Sequence, residues 1–384
     1  MSTQTSPSAL IPEPPKKIVY IDHLKVVLTV LVVLHHTFIT YGAPGGWYYS
    51  QKTTHVGAII PMTMFVAINQ AFFMGFFFFL SACFIPSSYR KKGAARFVTD
   101  RLIRLGIPLV FYSFVLSPIL SYLVYYFAEG HHITYMQYLG GFDGWIDFGV
   151  LWFVAALLLF TLIYVLWKLI AGNYRLKPTA VPKTGTIVLA AIATGVVSFL
   201  VRTVFPVGWV LKPLGFQLSY FTQYIVLFIV GLIAADNNWL ATLADKTGKQ
   251  MARLVILLVI LFPVFYVIKV VMNTPLEWYS GGMHWQSLLY AVWEQLIGFS
   301  IITALLSYGK KLWNKPSVLL QNLSRYTFGV YIFHPLVLIS TALAFRNLAI
   351  DPAIKLLFVA PLVVVCSFLL AAIIVKIPGV KKVI

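Results

Sequence analysis

Charge is scarce in this chain. Asp, Glu, Lys and Arg together make up 10% of 384 residues, against roughly 25% in a soluble protein of ordinary composition. Hydrophobic residues reach 60% and the mean hydropathy is +0.87. That balance excludes a soluble domain and requires a polytopic membrane protein, in which lipid replaces the aqueous surface. Cysteine is nearly absent. Cys83 and Cys366 both lie in apolar runs, without metal-ligand or CxxC spacing, so neither a disulfide framework nor a redox centre is expected. Four catalytic signatures are missing as well: the P-loop, G-x-G-x-x-G, HExxH and the GxSxG elbow. ATP hydrolysis, zinc proteolysis and elbow-type hydrolysis therefore have no support, and no metal site is expected.

The net charge is +18, yet nucleic acid is not the expected partner. Basic residues fall in the short gaps between apolar runs, as a topology signal does. Ten runs are long enough to span a bilayer, each needing about 20 residues. They lie near 19–41, 57–86, 106–128, 149–171, 185–204, 217–235, 253–272, 286–307, 326–345 and 354–376. With the first residue inside, 23 of the 29 Lys and Arg lie on the inner side. Lys52, Arg202, Lys212, Lys269, Arg346 and Lys355 are the exceptions. The fold class expected is thus an all-α polytopic integral membrane protein of about ten helices, both ends cytoplasmic. The second run contains Asn69, Gln70 and Gly75, and is expected to be tilted or broken. Residues 1–18 are polar, with Ser and Pro, and read as a disordered cytoplasmic tail without the pattern of a cleaved leader. Residues 19–376 form the membrane domain, and 377–384 a short basic tail.

The first helix carries the sharpest signal, Lys25 followed eleven residues later by His36. Eleven helical steps turn through about 1100°, or three turns plus roughly 20°, and rise about 16 Å. Lys25 and His36 thus share one face. With Lys25 at the membrane surface, His36 would stand near mid-bilayer, where an ionisable group is a functional hypothesis by default. A neutral imidazole can take a proton from a hydroxyl and release it later; alternatively it bonds to a neighbouring helix while Lys25 snorkels. Asp22 is three residues from Lys25 and can pair with it. His35 points about 100° away from His36 and suits packing or support.

Further on, Arg101 and Arg104 are i, i+3 neighbours at the inner surface, and Arg96 lies in the same basic stretch. A guanidinium face of this kind suits phosphates, and it also suits anionic lipid headgroups. Glu294 and Gln295 lie within the eighth run, where Glu294 can charge-balance a histidine or an arginine. His334 precedes Pro335 at an expected kink. Asp143 and Asp147 belong to an outer loop. The outer connections are rich in Gly, Trp and Tyr, which suits the interface belt and also sugar faces.

Taken together, these blocks resemble the membrane acyltransferase 3 family. Lys25-x10-His36 looks like its Arg-x10-His motif with Lys in place of Arg. FFFLSACFI followed by FVTDRLIRLGIPLVFY resembles its FFxxSGFxL…RxxRxxxP block, with Ala82-Cys83 replacing Gly-Phe. GVLWFVAALLLF is similar to its HLWFL segment, with Val150 where His is common, and SRYTFGVYIFHPLVL is similar to its late SYxxYLxHxP helix. The resemblance runs from about 20 to 376, without an appended soluble domain. It implies transfer of an acyl group, acetyl or succinyl, from cytoplasmic acyl-CoA to a hydroxyl of an extracytoplasmic carbohydrate or lipid-linked sugar at the plasma membrane. His36 would act as base or transient acyl carrier, aided by Lys25, Asp22 and Glu294. Arg101, Arg104, Arg96 and His334 would hold the CoA. Membrane lipids are the surrounding partner, and association with a second copy is left open. From the residues alone, a transporter or flippase for a lipid-linked sugar, lined by His36, Glu294 and Arg104, and a non-catalytic partner of a polysaccharide machine remain alternatives.

Overall fold

A long apolar run hides its backbone in lipid by closing each N–H on the carbonyl four residues back. The computed structural model describes residues 18–172 and 178–383, and among them ten helices are long and apolar enough to span. They are α1 (Val19–Tyr41), α2 (Val56–Lys92), α3 (Ala94–Ala128), α4 (Gly149–Ala171), α5 (Thr184–Arg202), α6 (Leu218–Asp236), α7 (Asp245–Val271), α8 (Trp285–Leu312), α9 (Val318–Ala344) and α10 (Pro352–Ile374). The N-terminal tail through residue 17, with Lys16 and Lys17, lies outside the described residues, as do Arg175, Lys177 and residue 384. From residue 375 to 383 the chain makes turns and a short 3-10 helix, Val380–Lys382.

The even-numbered helices end on one face. That face carries most of the Lys and Arg and is called the basic face below. The opposite, aromatic face carries the connections 42–55, 129–148, 203–217, 272–284 and 345–351. Helices α2, α3 and α7 are longer than the apolar runs that announce them. Hydropathy marks the hydrocarbon part of a helix, whereas hydrogen bonds carry it on into the headgroup layer. In α3 this extension is the stretch Ala94–Arg101, which is largely exposed apart from buried Phe97.

Helix α1 packs on α9 and α10, the middle of α2 on α6, and α8 on both α5 and α7. Lipid tails are as apolar as Leu, so association rests on close packing and interhelical hydrogen bonds. Helix α7 is the peripheral member, with only 6% of its most apolar window buried. Ile256, Ile260, Val267 and Val271 are exposed on it, a surface suited to lipid.

The second span is broken, at Ala71–Phe72, between Val56–Gln70 and Phe73–Cys83. The carbonyl of Ala71, turned sideways by the break, accepts from Gln223 Nε2 of α6 at 2.7 Å. Gly298 of α8 lies against the same carbonyl, and a Cβ there would stand 2.1 Å from the oxygen. In α3 the α-helical winding gives way to three wider π-helical turns, Leu102–Gly106, Tyr112–Leu116 and Val124–Ala128. Pro108 and Pro118 withhold the N–H groups that would bond the carbonyls of Arg104 and Phe114, so the regular ladder is interrupted where the wide turns occur.

Gly298→Val should therefore lower stability by roughly 1–3 kcal/mol through overpacking at the break. The measurement is thermal unfolding in detergent, with Gly57→Ala as control, because a Cβ at Gly57 meets nothing within 4 Å. An unchanged melting temperature for Gly298→Val would show that the break can move aside.

Candidate active site

His36 stands five residues before the end of α1. By helical rise it is about 25 Å from the first residue of α1 and about 8 Å from the last. It therefore lies in the third of the span nearest the aromatic face, rather than at mid-span. Pairing Asp22 at 3.4 Å, Lys25 remains at the basic end, its ammonium over the Phe84 ring at 5.3 Å. The shared face of Lys25 and His36 is thus a line along α1, with no contact between the two side chains.

The side chain that hydrogen-bonds the His36 ring comes from the far end of the sequence. His36 Nδ1 lies 3.0 Å from Nε2 of His334 on α9, and the two rings are stacked with centroids 5.1 Å apart. On its other side, Nδ1 of His334 lies 2.9 Å from the carbonyl oxygen of Tyr331. A carbonyl only accepts, so that nitrogen carries a proton and donates it. Neutral His334 then has a bare Nε2, which accepts from His36 Nδ1–H. The proton of neutral His36 is thereby fixed on Nδ1, leaving its Nε2 as a lone pair. His334 is fully buried while His36 is partly exposed. This line of carbonyl, imidazole and imidazole orients one basic nitrogen, as a third group does for the base in other nucleophile-base systems.

Two aromatic contacts hold the pair. Trp47, from the loop after α1, stacks on His36 at 4.1 Å with the planes 20° apart. An indole face in that position restricts ring rotation and favours the imidazolium by cation–π attraction. Tyr331 donates its hydroxyl to the carbonyl of Val150, fixing the turn that carries His334. Tyr48, next to Trp47, shares a hydrogen bond with Tyr112 of α3 at 2.9 Å. Burial and nearby Asp147 push the Tyr48 phenol up, so it stays a hydroxyl. Gly149, at φ +43°, fits beneath both rings; a Cβ there would come within 2.6 Å of each hydroxyl.

His35 faces elsewhere. It stacks on Phe73 at 5.0 Å, and its Nδ1 accepts from Asn69 at 3.3 Å. Asp147 accepts from Ser117 at 3.1 Å and from the Gly149 amide at 2.8 Å, which ties its outer loop to α3 and α4.

Glu294, fully buried on α8, pairs with Arg202 at the end of α5. Gln295 bonds the same carboxylate oxygen at 3.3 Å and accepts from Gln223 at 2.8 Å. Glu294, His36 and Arg104 lie on three different helices, α8, α1 and α3. At the basic face, Arg90 pairs with Asp236 at 2.7 Å and Lys92 with Asp100 at 2.6 Å. Arg96, Arg101 and Arg104 form no ion pair among the described residues. Arg101 lies over the Phe97 ring at 5.0 Å and is half-buried, while Arg96 and Arg104 are exposed. Among the described residues no three His, Cys, Asp or Glu side chains are grouped as metal ligands.

Residues 18–374 match the family model described as an acyltransferase domain, nearly the whole of the described chain. The chain belongs to the acyltransferase 3 family. It is a multi-pass membrane acyltransferase. No curated protein and no solved structure matches it significantly. The part of this site that reading the sequence missed is the pairing of His36 with His334 and the stacking of Trp47. Both residues stood in view, one beside Pro335 and the other in a Gly- and Tyr-rich loop, but nothing in the order of residues brings them together.

The Arg202–Glu294 pair gives a test of its own. Removing one partner leaves an uncompensated buried charge, which costs about 3–5 kcal/mol. Arg202→Met or Glu294→Met should lower the melting temperature in detergent more than the double substitution does. If the double variant is the least stable of the three, the pair contributes net stability.

Proposed function

We propose that this acyltransferase moves an acyl group, acetyl or succinyl, from acyl-CoA at the cytoplasmic, basic face to a hydroxyl of an extracytoplasmic carbohydrate or glycolipid. The carrying observation is the hydrogen-bonded line from Tyr331 through His334 to His36, which presents one basic nitrogen next to the aromatic face. Acyl-CoA is the donor, and Arg96, Arg101 and Arg104 bind its phosphates. Their support is that the neighbouring Arg90 and Lys92 pair directly with carboxylates, whereas these three feel only the charge of Asp100, which Lys92 already holds. The pantetheine arm then carries the thioester along α1 toward His36. Lys25, held beside Asp22 at the entrance, adds positive charge near the phosphates. The protein resides in the plasma membrane.

The chemistry balances without a further reactant. Nε2 of His36 takes the proton of the acceptor hydroxyl as its oxygen attacks the thioester carbonyl. A C–O bond forms and the C–S bond breaks. The imidazolium returns its proton to the leaving thiolate, giving the ester and free CoA thiol. During the cationic moment His36 keeps its Nδ1–H on His334, and Trp47 faces the charge. His334 is a positioning residue in this scheme, and the Arg202–Glu294 pair holds α5 to α8.

Three measurements test the reading. His36→Ala should abolish release of CoA thiol in the presence of acceptor. His334→Ala should lower kcat by about 10²–10⁴-fold with little change in KM, and His334→Gln, which still offers an acceptor oxygen, should recover part of the loss. Activity should fall when pH drops far enough to protonate His36; a rate that rose on acidification would contradict the base. Separately, calorimetry of acetyl-CoA with Arg101→Ala/Arg104→Ala should show the binding of the parent protein lost. Unchanged binding would move the phosphates to other residues.

A further inference from the structure

Cations are rare on the aromatic face, yet two of the six come together beside the active site. Arg346 follows α9, and Lys355 lies in the first turn of α10. Lys355 is 2% exposed. Its ammonium donates only to neutral acceptors, the side-chain oxygen of Gln51 at 3.2 Å and the carbonyl of Arg346 at 3.1 Å. Arg346 is half-buried, and its guanidinium forms no ion pair among the described residues. Nearby Asp351 is already engaged, accepting from Thr53 at 2.9 Å and from the Ala353 amide at 2.8 Å, with His55 at 3.5 Å. A buried ammonium and a neighbouring guanidinium without a carboxylate between them are costly, and they favour an anion placed beside them.

The structure has a place for one. Tyr49, Gln51, Phe127, Glu129, Arg346 and Asn347 line a recess of about 310 Å³, open to the aromatic face. Gln51 is engaged at both ends of its amide, since one N–H donates to the Arg346 carbonyl at 2.9 Å while its side-chain oxygen accepts from Lys355. The guanidinium of Arg346, the Tyr49 hydroxyl and the exposed Asn347 amide remain for a ligand, with Tyr49 and Phe127 giving aromatic surface. Glu129, the one acidic lining residue, is 54% exposed and leans toward His131 at 3.6 Å. The recess is close to His36 in two ways. The Gln51 backbone N–H bonds the Thr40 carbonyl at 2.8 Å, and the Thr40 hydroxyl bonds the His36 carbonyl at 2.9 Å. Trp47, which covers His36, is only two residues from Tyr49.

We propose that this recess holds the oxyanion of the acyl acceptor, a carboxylate or phosphate borne by a polyhydroxyl unit, so that an acidic sugar is the preferred acceptor. The inference rests on the acyl-transfer reading for the word acceptor, while the anion site itself stands on the recess. Arg346 grips the oxyanion, the buried Lys355 adds field from behind Gln51, and the sugar lies on Tyr49 and Phe127 with a hydroxyl directed down toward His36.

The test is equilibrium binding to the protein in phosphatidylcholine nanodiscs, with glucuronate, glucose 6-phosphate, glucose and inorganic phosphate as probes. At least one sugar anion should bind about tenfold tighter than both glucose and inorganic phosphate, as a charge-assisted hydrogen bond supplies. Arg346→Gln should erase that preference, and Arg346→Lys should keep part of it. Preference for glucuronate assigns a carboxylate, and preference for glucose 6-phosphate a phosphate. The proposal fails if neither sugar anion binds, if glucose or inorganic phosphate binds as well, or if Arg346→Gln changes nothing. It fails too if phosphatidylglycerol in the disc displaces the sugar anion, since the recess would then hold a lipid headgroup. Transfer from acetyl-CoA, measured on the same samples, separates the two claims. Sugar-anion binding without transfer would overturn the acyl-transfer reading and leave the anion site standing.

Discussion

A carbonyl oxygen cannot give a proton, and from that one constraint the site takes its order. The Tyr331 carbonyl forces His334 to donate, His334 in turn forces His36 to donate, and the free lone pair is left on a single nitrogen. Two neutral histidines in isolation would each have two tautomers and would share the proton in several ways. Here the choice is made by a backbone atom that is itself held in a helix, two side chains removed from the free lone pair. The same helix turn is held by the Tyr331 hydroxyl on the Val150 carbonyl, so the start of α4 bears on the protonation pattern without touching either imidazole.

The second organising feature is the interrupted α2. A broken helix inside a membrane exposes a polar carbonyl where no water can satisfy it. Gln223 supplies the donor, Gln295 receives the rest of the Gln223 amide, and Glu294 and Arg202 complete the chain. Thus α2, α5, α6 and α8 are joined by polar contacts in a setting where apolar packing alone gives little preference for one partner over another. Glu294 offered itself in the sequence as a partner for either a histidine or an arginine, and the structure gives it Arg202. Its negative charge is balanced within the scaffold.

How much of this was legible depended on distance along the chain. Ten spans followed from hydropathy, and the interruption of α2 from Asn69, Gln70 and Gly75, because both are local properties. Lys25 and His36 were connected by helical arithmetic over eleven residues. The pairing of His36 with His334 crosses 298 positions, and it depends on α1 lying against α9, which no periodicity specifies. Arg202, Arg346 and Lys355 entered the reading only as exceptions to a charge bias. What distinguishes them is burial and the presence or absence of an acid beside them, and both are properties of packing. Trp47 sat in a loop whose aromatics suit any membrane interface, so its position over an imidazole could not be read from its neighbours.

The uneven placing of His36 along α1 has a consequence for size. From the aromatic face His36 is about one and a half helical turns down α1, whereas from the basic face it is about three times deeper. Whatever approaches from the aromatic side needs to lower only one small group into the protein, and the remainder can stay in water at any length. Whatever approaches from the basic side must be slender enough to thread between helices, and the length of its arm becomes the ruler that decides whether its tip arrives.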